Sequence, residues 1–239
     1  MVSKQNPQIG IVVVAAGSGT RYGDTLPKQF VSLCGQPVLS HCIEAFRAAL
    51  PEAHIVLVLS EDGRRLWTDL CKASGFESPE LAIGGASRGE SVKAGLDALT
   101  RAGLAGEAPV LIHDGARPLL SQELILRIVE AMTQGADGAV PSLDMSDSMV
   151  ELDDKGGFTP VSRTRFRTVQ TPQAFRLGAI LDAYSGNSSF GFTDDLSLMR
   201  AAGFDNLVLV EGQRDNIKIT HPSDLATATA QLAQRKAKQ

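Results

Sequence analysis

The chain has 239 residues, of which 43% are hydrophobic and 21% charged, with a net charge of -4 at pH 7. A chain of this length buries most of the apolar surface that it exposes when unfolded, so a globular fold needs no disulfide or metal staple. The slightly acidic balance, with no long basic run, argues against nucleic acid or an anionic membrane surface as partner and confines any cationic site to a local cluster.

The first apolar run, IGIVVVAA at 9–16, is too short to span a bilayer, and with only Lys4 before it, it makes a poor signal peptide. IGIVVVA (9–15) instead predicts a strand buried on both faces, the pattern of a parallel sheet. PVLSHCIEAFRAAL (37–50) predicts a helix with Leu39, Cys42, Ile43 and Phe46 on one face. HIVLVLS (54–60) predicts a second strand, with a helix near 62–74 on which the single tryptophan, Trp67, is expected to pack. ELAIGG (80–85) is a short strand ending in two glycines, and Ser87 and Glu90 then have capping-box spacing ahead of a helix to about residue 101. PVLIHD (109–114) is another strand, a helix follows over about 121–134, and GAVPS (138–142) is a strand.

This β-α-β-α order implies an α/β fold, with a mostly parallel sheet and helices on both faces. Ligands of such sheets bind beyond the carboxyl ends of the strands. Residues 143–168 interrupt the pattern: they are polar, and DDKGG (153–157) predicts a hairpin turn, so a β-arm is expected to project from a single domain spanning 1–239. Helices return near 176–184 and 194–202, the second with Thr193, Asp194 and Asp195 as N-cap and dipole complement. NLVLVEG (206–212) and NIKIT (216–220) read as two short strands around a turn, and a last helix runs from about 222 to 236. The three cysteines, Cys34, Cys42 and Cys71, are odd in number and spaced for neither a zinc site nor a CxxC pair, which suits reduced thiols in a cytoplasmic protein.

The loop after the first strand, AAGSGTRYGDTLPKQF (15–30), carries the most chemistry. A glycine-rich turn there points N–H groups at a ligand, most often a phosphate. The dinucleotide fingerprint and the P-loop both need glycine at position 22, where Tyr22 stands. The loop instead carries Arg21 and Lys28, with Pro27 restricting the approach to Lys28. Two cations on such a loop suit a triphosphate whose charge changes during reaction, although in isolation the segment also reads as a surface turn with two solvated cations.

The loop resembles the signature of sugar- and polyol-phosphate nucleotidyltransferases. The resemblance continues in order through GGASRGESV (84–92), HDGARP (113–118), the DS pair (147–148), SRTRFRTVQTPQAF (162–175), FTDD (192–195) and EGQRDNIKIT (211–220). That ordered set points to the 2-C-methyl-D-erythritol 4-phosphate cytidylyltransferase family of the non-mevalonate isoprenoid pathway. It implies a Rossmann-like twisted sheet with a protruding β-arm and a homodimer whose arm completes the neighbouring site. It also implies a Mg²⁺-dependent reaction of CTP with a polyol phosphate.

By the same resemblance, Arg21 and Lys28 would bind the triphosphate and stabilise the pentavalent transition state, while Arg163 and Lys218 would position the methylerythritol phosphate. Ala15, Ala16, Gly17, Ser18, Gly19, Gly84, Gly85, Arg88 and Ser91 would form the nucleotide site. Asp114 would contact the polyol hydroxyls with Arg117 supporting its loop, and Ser148 and Thr171 would touch the second substrate. The ion would be held mainly by CTP phosphates, near Asp114, without direct side-chain ligation. His113 is expected to pack or hydrogen-bond rather than react, and Lys218 also reads as an edge-strand lysine. Ala86 stands where some relatives carry an acid, and the stretch 144–148 is longer than the pattern. A ribitol 5-phosphate cytidylyltransferase, with the same fold and chemistry, and a non-catalytic nucleotide-binding regulator are the alternatives.

Overall fold

The computed structural model describes residues 9–17, 26–186 and 192–237. Its strands are β1 (Gly10–Val14), β2 (Ser32–Leu33), β3 (Gln36–Pro37), β4 (His54–Leu59), β5 (Glu80–Ile83), β6 (Pro109–Asp114), β7 (Gly138–Asp144), β8 (Met149–Leu152), β9 (Phe158–Val161), β10 (Arg167–Val169), β11 (Gln173–Arg176) and β12 (Leu207–Glu211). The helices are α1 (Val38–Ala49), α2 (Glu61–Ser74), α3 (Arg88–Arg101), α4 (Gln122–Thr133), α5 (Leu177–Gly186), α6 (Asp195–Ala201) and α7 (Pro222–Lys236).

Eight strands form one sheet. β1 lies between β4 and β6, parallel to both, and β5 extends the sheet beyond β4. β11 runs antiparallel between β6 and β7. β10 continues along that same side of β7, and β12 pairs with the other side in parallel.

The period of two along β1 divides the core. Ile11 and Val13 point to one face, among Leu39, Ile43 and Phe46 of α1 and Ile125, Ile128 and Met132 of α4. Val12 points to the other, among Val92, Leu96 and Leu99 of α3 and Ile180 of α5. Each such side chain contributes roughly 1.5–3 kcal/mol by leaving water. This two-sided burial is why the strand reads as an unbroken apolar run. Trp67 packs as expected, buried edge-on against Phe76 with its indole N–H donating to Ser78 at 2.9 Å.

The helices begin where their caps stand. Ser60, Ser121 and Asp194 each accept a backbone N–H from the first turn of α2, α4 and α6. At α3 the expected capping box is complete: Ser87 accepts from the Glu90 N–H, and Glu90 accepts from the Ser87 N–H.

The arm is the antiparallel pair β8–β9, whose turn is built as DDKGG predicts. Asp153 Oδ1 accepts the N–H groups of Lys155 and Gly157, and Gly156 takes φ +82, a conformation that only glycine adopts without strain. The sheet claims more of this segment than expected, since β7 runs to Asp144 and β10 begins at Arg167.

One expected element is corrected. NIKIT is not a strand and β12 is not half of a hairpin. The alternation in NIKIT instead seats a loop: Ile217 and Ile219 pack with Leu33, Val38 and Leu119, and the Ile219 N–H donates to the Ala116 carbonyl at 2.8 Å. Lys218 is therefore left on the outer side of a loop rather than on a sheet edge.

Candidate active site

Loops leaving the carboxyl ends of β1, β5 and β6 meet the start of α3 and the segments around Lys28 and Lys218. Together they enclose a cleft of about 520 Å³. Ala15, Ala16, Gly17, Gly85, Arg88, Ser91, Asp114, Lys28 and Lys218 all line it, so most of the expected nucleotide positions and two of the expected catalytic cations converge. Ser18, Gly19 and Arg21 lie outside the described residues.

The backbone of the first loop is held by a buried amide. Gln29, which the sequence reading missed, is buried and donates Nε2 to the carbonyls of Ala15 at 2.8 Å and Gly17 at 3.0 Å. Those carbonyls are thereby satisfied within the protein, so neither is a bare acceptor beside an anionic ligand. Gly84 is a pinch point rather than part of the lining. A Cβ there would sit 2.6 Å from both Ala16 Cβ and Ser91 Oγ, so its absence lets the β1 and β5 loops approach α3.

Asp114 ends β6 and gathers the charge. Lys218 Nζ donates to its Oδ2 at 2.8 Å, Arg88 Nε donates to Oδ1 at 3.3 Å, and Arg117 Nε stands 3.9 Å away. Burial opposes its ionisation, yet Arg88, Lys218 and Arg117 outweigh burial and hold the carboxyl well below the usual carboxylate range. Arg117, expected beside the substrate, does not line the cleft; it turns inward and donates Nη1 to the Asn216 carbonyl at 2.7 Å, tying the Asp114 loop to the segment that carries Lys218.

A polar relay fixes the backbone of Asp114. Its N–H donates to Thr171 Oγ1 at 3.1 Å, and that hydroxyl lies 3.1 Å from His113 Nδ1. His113 Nε2 lies 3.1 Å from the Arg117 carbonyl, which can only accept. Nε2 therefore carries the proton, and Nδ1 accepts from Thr171. Burial pushes the His113 pKa down to about 4, so the ring is neutral, and Phe46 packs edge-on against it. Thr171 is thus buried and fully used in holding Asp114, with Asn216 Nδ2 donating to its carbonyl at 2.8 Å.

The arm stays apart from this cleft within one chain. Ser148 is exposed, and Arg163 follows β9 on a short turn, where its Nη1 donates to the Ser146 carbonyl across the base of the arm. Neither lines the cleft. Another hollow, about 560 Å³, lies at the arm's root between Asp144, Arg167, Glu211 and Arg214, and holds none of the expected site residues.

No three His, Cys, Asp or Glu side chains converge on a metal position among the described residues. Asp114 is the one carboxylate lining the cleft among the described residues, a donor set that suits Mg²⁺ bound chiefly by substrate phosphates and water. Among the described residues no helix is long and apolar enough to cross a membrane.

The chain is similar over most of its length to several cytidylyltransferases. The 2-C-methyl-D-erythritol 4-phosphate cytidylyltransferase of Cereibacter sphaeroides is 43% identical over 222 residues, covering 93% of this chain and 96% of that protein. Its counterpart from Azobacteroides pseudotrichonymphae is 39% identical over 221 residues, covering 92% and 96%. The crystal structure of 4-diphosphocytidyl-2C-methyl-D-erythritol synthase from Anaerococcus prevotii superposes with a TM-score of 0.79 at 27% identity, covering 95% of this chain and 96% of that one. The family model for IspD, 2-C-methyl-D-erythritol 4-phosphate cytidylyltransferase, matches residues 9–234, and the chain belongs to that family.

Proposed function

We propose that this cleft is where the chain transfers CMP from CTP to 2-C-methyl-D-erythritol 4-phosphate, forming 4-diphosphocytidyl-2-C-methyl-D-erythritol in isoprenoid precursor synthesis. The observation that carries the reading is the convergence of a backbone-lined pocket with Lys28, Arg88, Lys218 and the carboxylate of Asp114.

In the reaction, a phosphate oxygen of the polyol phosphate bonds to the α-phosphorus of CTP. The α–β bridging bond breaks, and pyrophosphate leaves with the electron pair. A phosphate monoester has a second pKa of about 6 and is largely dianionic at neutral pH, so no general base is required. That accounts for a site whose histidine, His113, is neutral, buried and already committed to two partners. The difficulty is repulsion between two anions. Unit charges 4 Å apart repel by roughly 4 kcal/mol at an effective dielectric of 20, and several such terms add.

Lys28, together with Arg21, offsets that charge on the triphosphate, and most strongly as it shifts toward the leaving group. The small side chains and backbone of Ala15–Gly17 and Gly85–Ser87 admit the nucleotide closely, with Arg88 and Ser91 at the mouth of α3. Lys218 and Asp114 face the polyol phosphate, the ammonium toward its phosphate and the carboxylate toward its hydroxyls. Thr171 serves that end indirectly by fixing Asp114. A divalent cation, Mg²⁺, would supply further charge neutralisation between the phosphates, with Asp114 as the adjacent carboxylate.

Arg163 and Ser148 act from the arm of a second copy of the chain, in a homodimer. The exposed apolar side chains of the arm, Val150, Leu152 and Phe158, and of β12, Val208 and Leu209, support that assembly. The three thiols, none of them paired, suit a cytoplasmic location.

The test is pyrophosphate release by the purified protein with Mg²⁺. Each of the four NTPs is supplied against methylerythritol phosphate and ribitol 5-phosphate. Release with CTP and methylerythritol phosphate alone is expected. Release with ribitol phosphate instead would move the protein to the other cytidylyltransferase, and CTP binding with no release would make it a regulator.

A further inference from the structure

Arg88 opens α3 between two carboxylates. Its Nε donates to Asp114 Oδ1 at 3.3 Å, while its Nη2 lies 2.8 Å from Asp195 Oδ2. The shorter contact is the one behind the cleft: Asp195 is fully buried and takes no part in the lining. Tyr184, on α5, orients Asp195 by donating its hydroxyl to Oδ1 at 2.5 Å. On the cleft side, the other Asp114 oxygen receives Lys218.

Resting on the reading of the cleft above, we infer that Asp195 is a positioning residue for the polyol phosphate, acting through Arg88 by drawing it back from Asp114. A guanidinium is a rigid fork that pairs with a carboxylate through two parallel N–H donors when nothing prevents it. With Nη2 drawn to Asp195 by charge, in a close ion pair that makes no aligned hydrogen bond, only Nε reaches Asp114, at a distance beyond the usual range of a strong N–H···O bond. One oxygen of Asp114 is thus left weakly engaged and open to a ligand hydroxyl. Burial disfavours the Arg88 charge, but Asp195, and then Asp114, outweigh it and keep the guanidinium protonated. Arg88 thereby has its charge divided between two partners within the protein before any nucleotide arrives. Its place is accordingly between the nucleotide side and the polyol side of the cleft, transmitting the position of α6 to Asp114. Asp195 was expected only as part of a helix N-cap; Asp194 fills that role by accepting from the Ser197 N–H, which leaves Asp195 for Arg88.

The experiment is steady-state kinetics with CTP, methylerythritol 4-phosphate and Mg²⁺ for Asp195→Asn and Tyr184→Phe, with Asp195→Asn also made in an Arg88→Ala background. Asp195→Asn should raise KM for the polyol phosphate about tenfold while changing KM for CTP less than about twofold. Tyr184→Phe, which keeps the charge and removes one hydrogen bond, should move the same constant about threefold, and it carries the test if Asp195→Asn fails to fold. In the Arg88→Ala background Asp195→Asn should add nothing further. Equal changes in both KM values, a lowered melting temperature with both KM values unmoved, or additive effects with Arg88→Ala would overturn the inference. A wild type silent with every nucleotide and polyol phosphate sinks the reading of the cleft and this inference with it. An active wild type whose variants show no split between the two KM values sinks the inference alone.

Discussion

At the cleft, charged and amide groups are buried and interlocked, whereas along the arm large apolar side chains stand in solvent. Asp114, His113, Thr171, Asn216 and Gln29 hydrogen-bond one another or the backbone, with Asn216 Oδ1 left without a partner. Phe158 and Leu152 on the arm are 69% and 73% exposed, and the hairpin is tied by its own turn and ladder. The first arrangement is built from side chains of one chain. The second holds its shape but leaves apolar surface uncovered. The chemistry of the cleft is therefore preorganised, while the arm is suited to contact with another surface.

Substitutions separate the two regions, and the largest effect belongs to the cleft. Lys28→Ala should lower kcat by about 10²–10³ while raising the Kd for CTP only a few-fold, because the charge it meets grows in the transition state. Equal losses in turnover and in CTP binding would remove that role.

Next comes the pH dependence of folding. The folded pKa of His113, about 4, lies below its ordinary 6.5. Between those values the unfolded chain takes up a proton that the folded chain refuses. Stability from this group is therefore full above 6.5, is lost as pH falls, and levels off near 4, spanning about 3 kcal/mol. Urea unfolding across that window should show the slope in the native chain and not in His113→Gln; the same slope in both would assign it elsewhere.

The same change made in both regions sharpens the contrast. Gly84→Ala should cost about 1–3 kcal/mol and impair CTP binding, since its Cβ presses the β1 loop and α3 apart. Gly156→Ala should cost about 1 kcal/mol through its positive φ and leave CTP binding alone, as measured by thermal unfolding and nucleotide titration. The smallest effect on folding is expected for Phe158→Asp, within about 0.5 kcal/mol, while sedimentation should shift from dimer to monomer. A variant that remains a dimer would show that the arm does not hold the copies together.

Much of this was legible in the sequence because it is local. The two-faced burial of β1, the capping box at Ser87 and Glu90, and the DDKGG turn are each set by residues within a few positions of one another. Asp114 and Lys218 could be placed together only through the ordered motifs, since 104 positions separate them. Gln29, Asp195 and Tyr184 left no local signal: an amide bonded to loop carbonyls and an acid buried against an arginine look, in sequence, like a loop residue and a cap. NIKIT misled because alternation marks a half-buried extended segment whether or not a neighbouring strand is there to receive its hydrogen bonds. The pairing of β12 with β7 depends on chain crossing the sheet, which no short pattern encodes.

The kinked run from β10 into β11 has a mechanical consequence. Arg167 to Val169 pairs with the end of β7 where the arm departs, and the chain then passes through Gln170 to Thr171. Gln170 is clamped, accepting from the Gln213 N–H and donating to the Gln213 carbonyl, and Thr171 receives the Asp114 N–H. The root of the arm and the residue that carries the site's carboxylate are thus joined by a short, bolted strut rather than a slack tether. The arm's root and Asp114 are therefore placed to shift as one unit rather than separately.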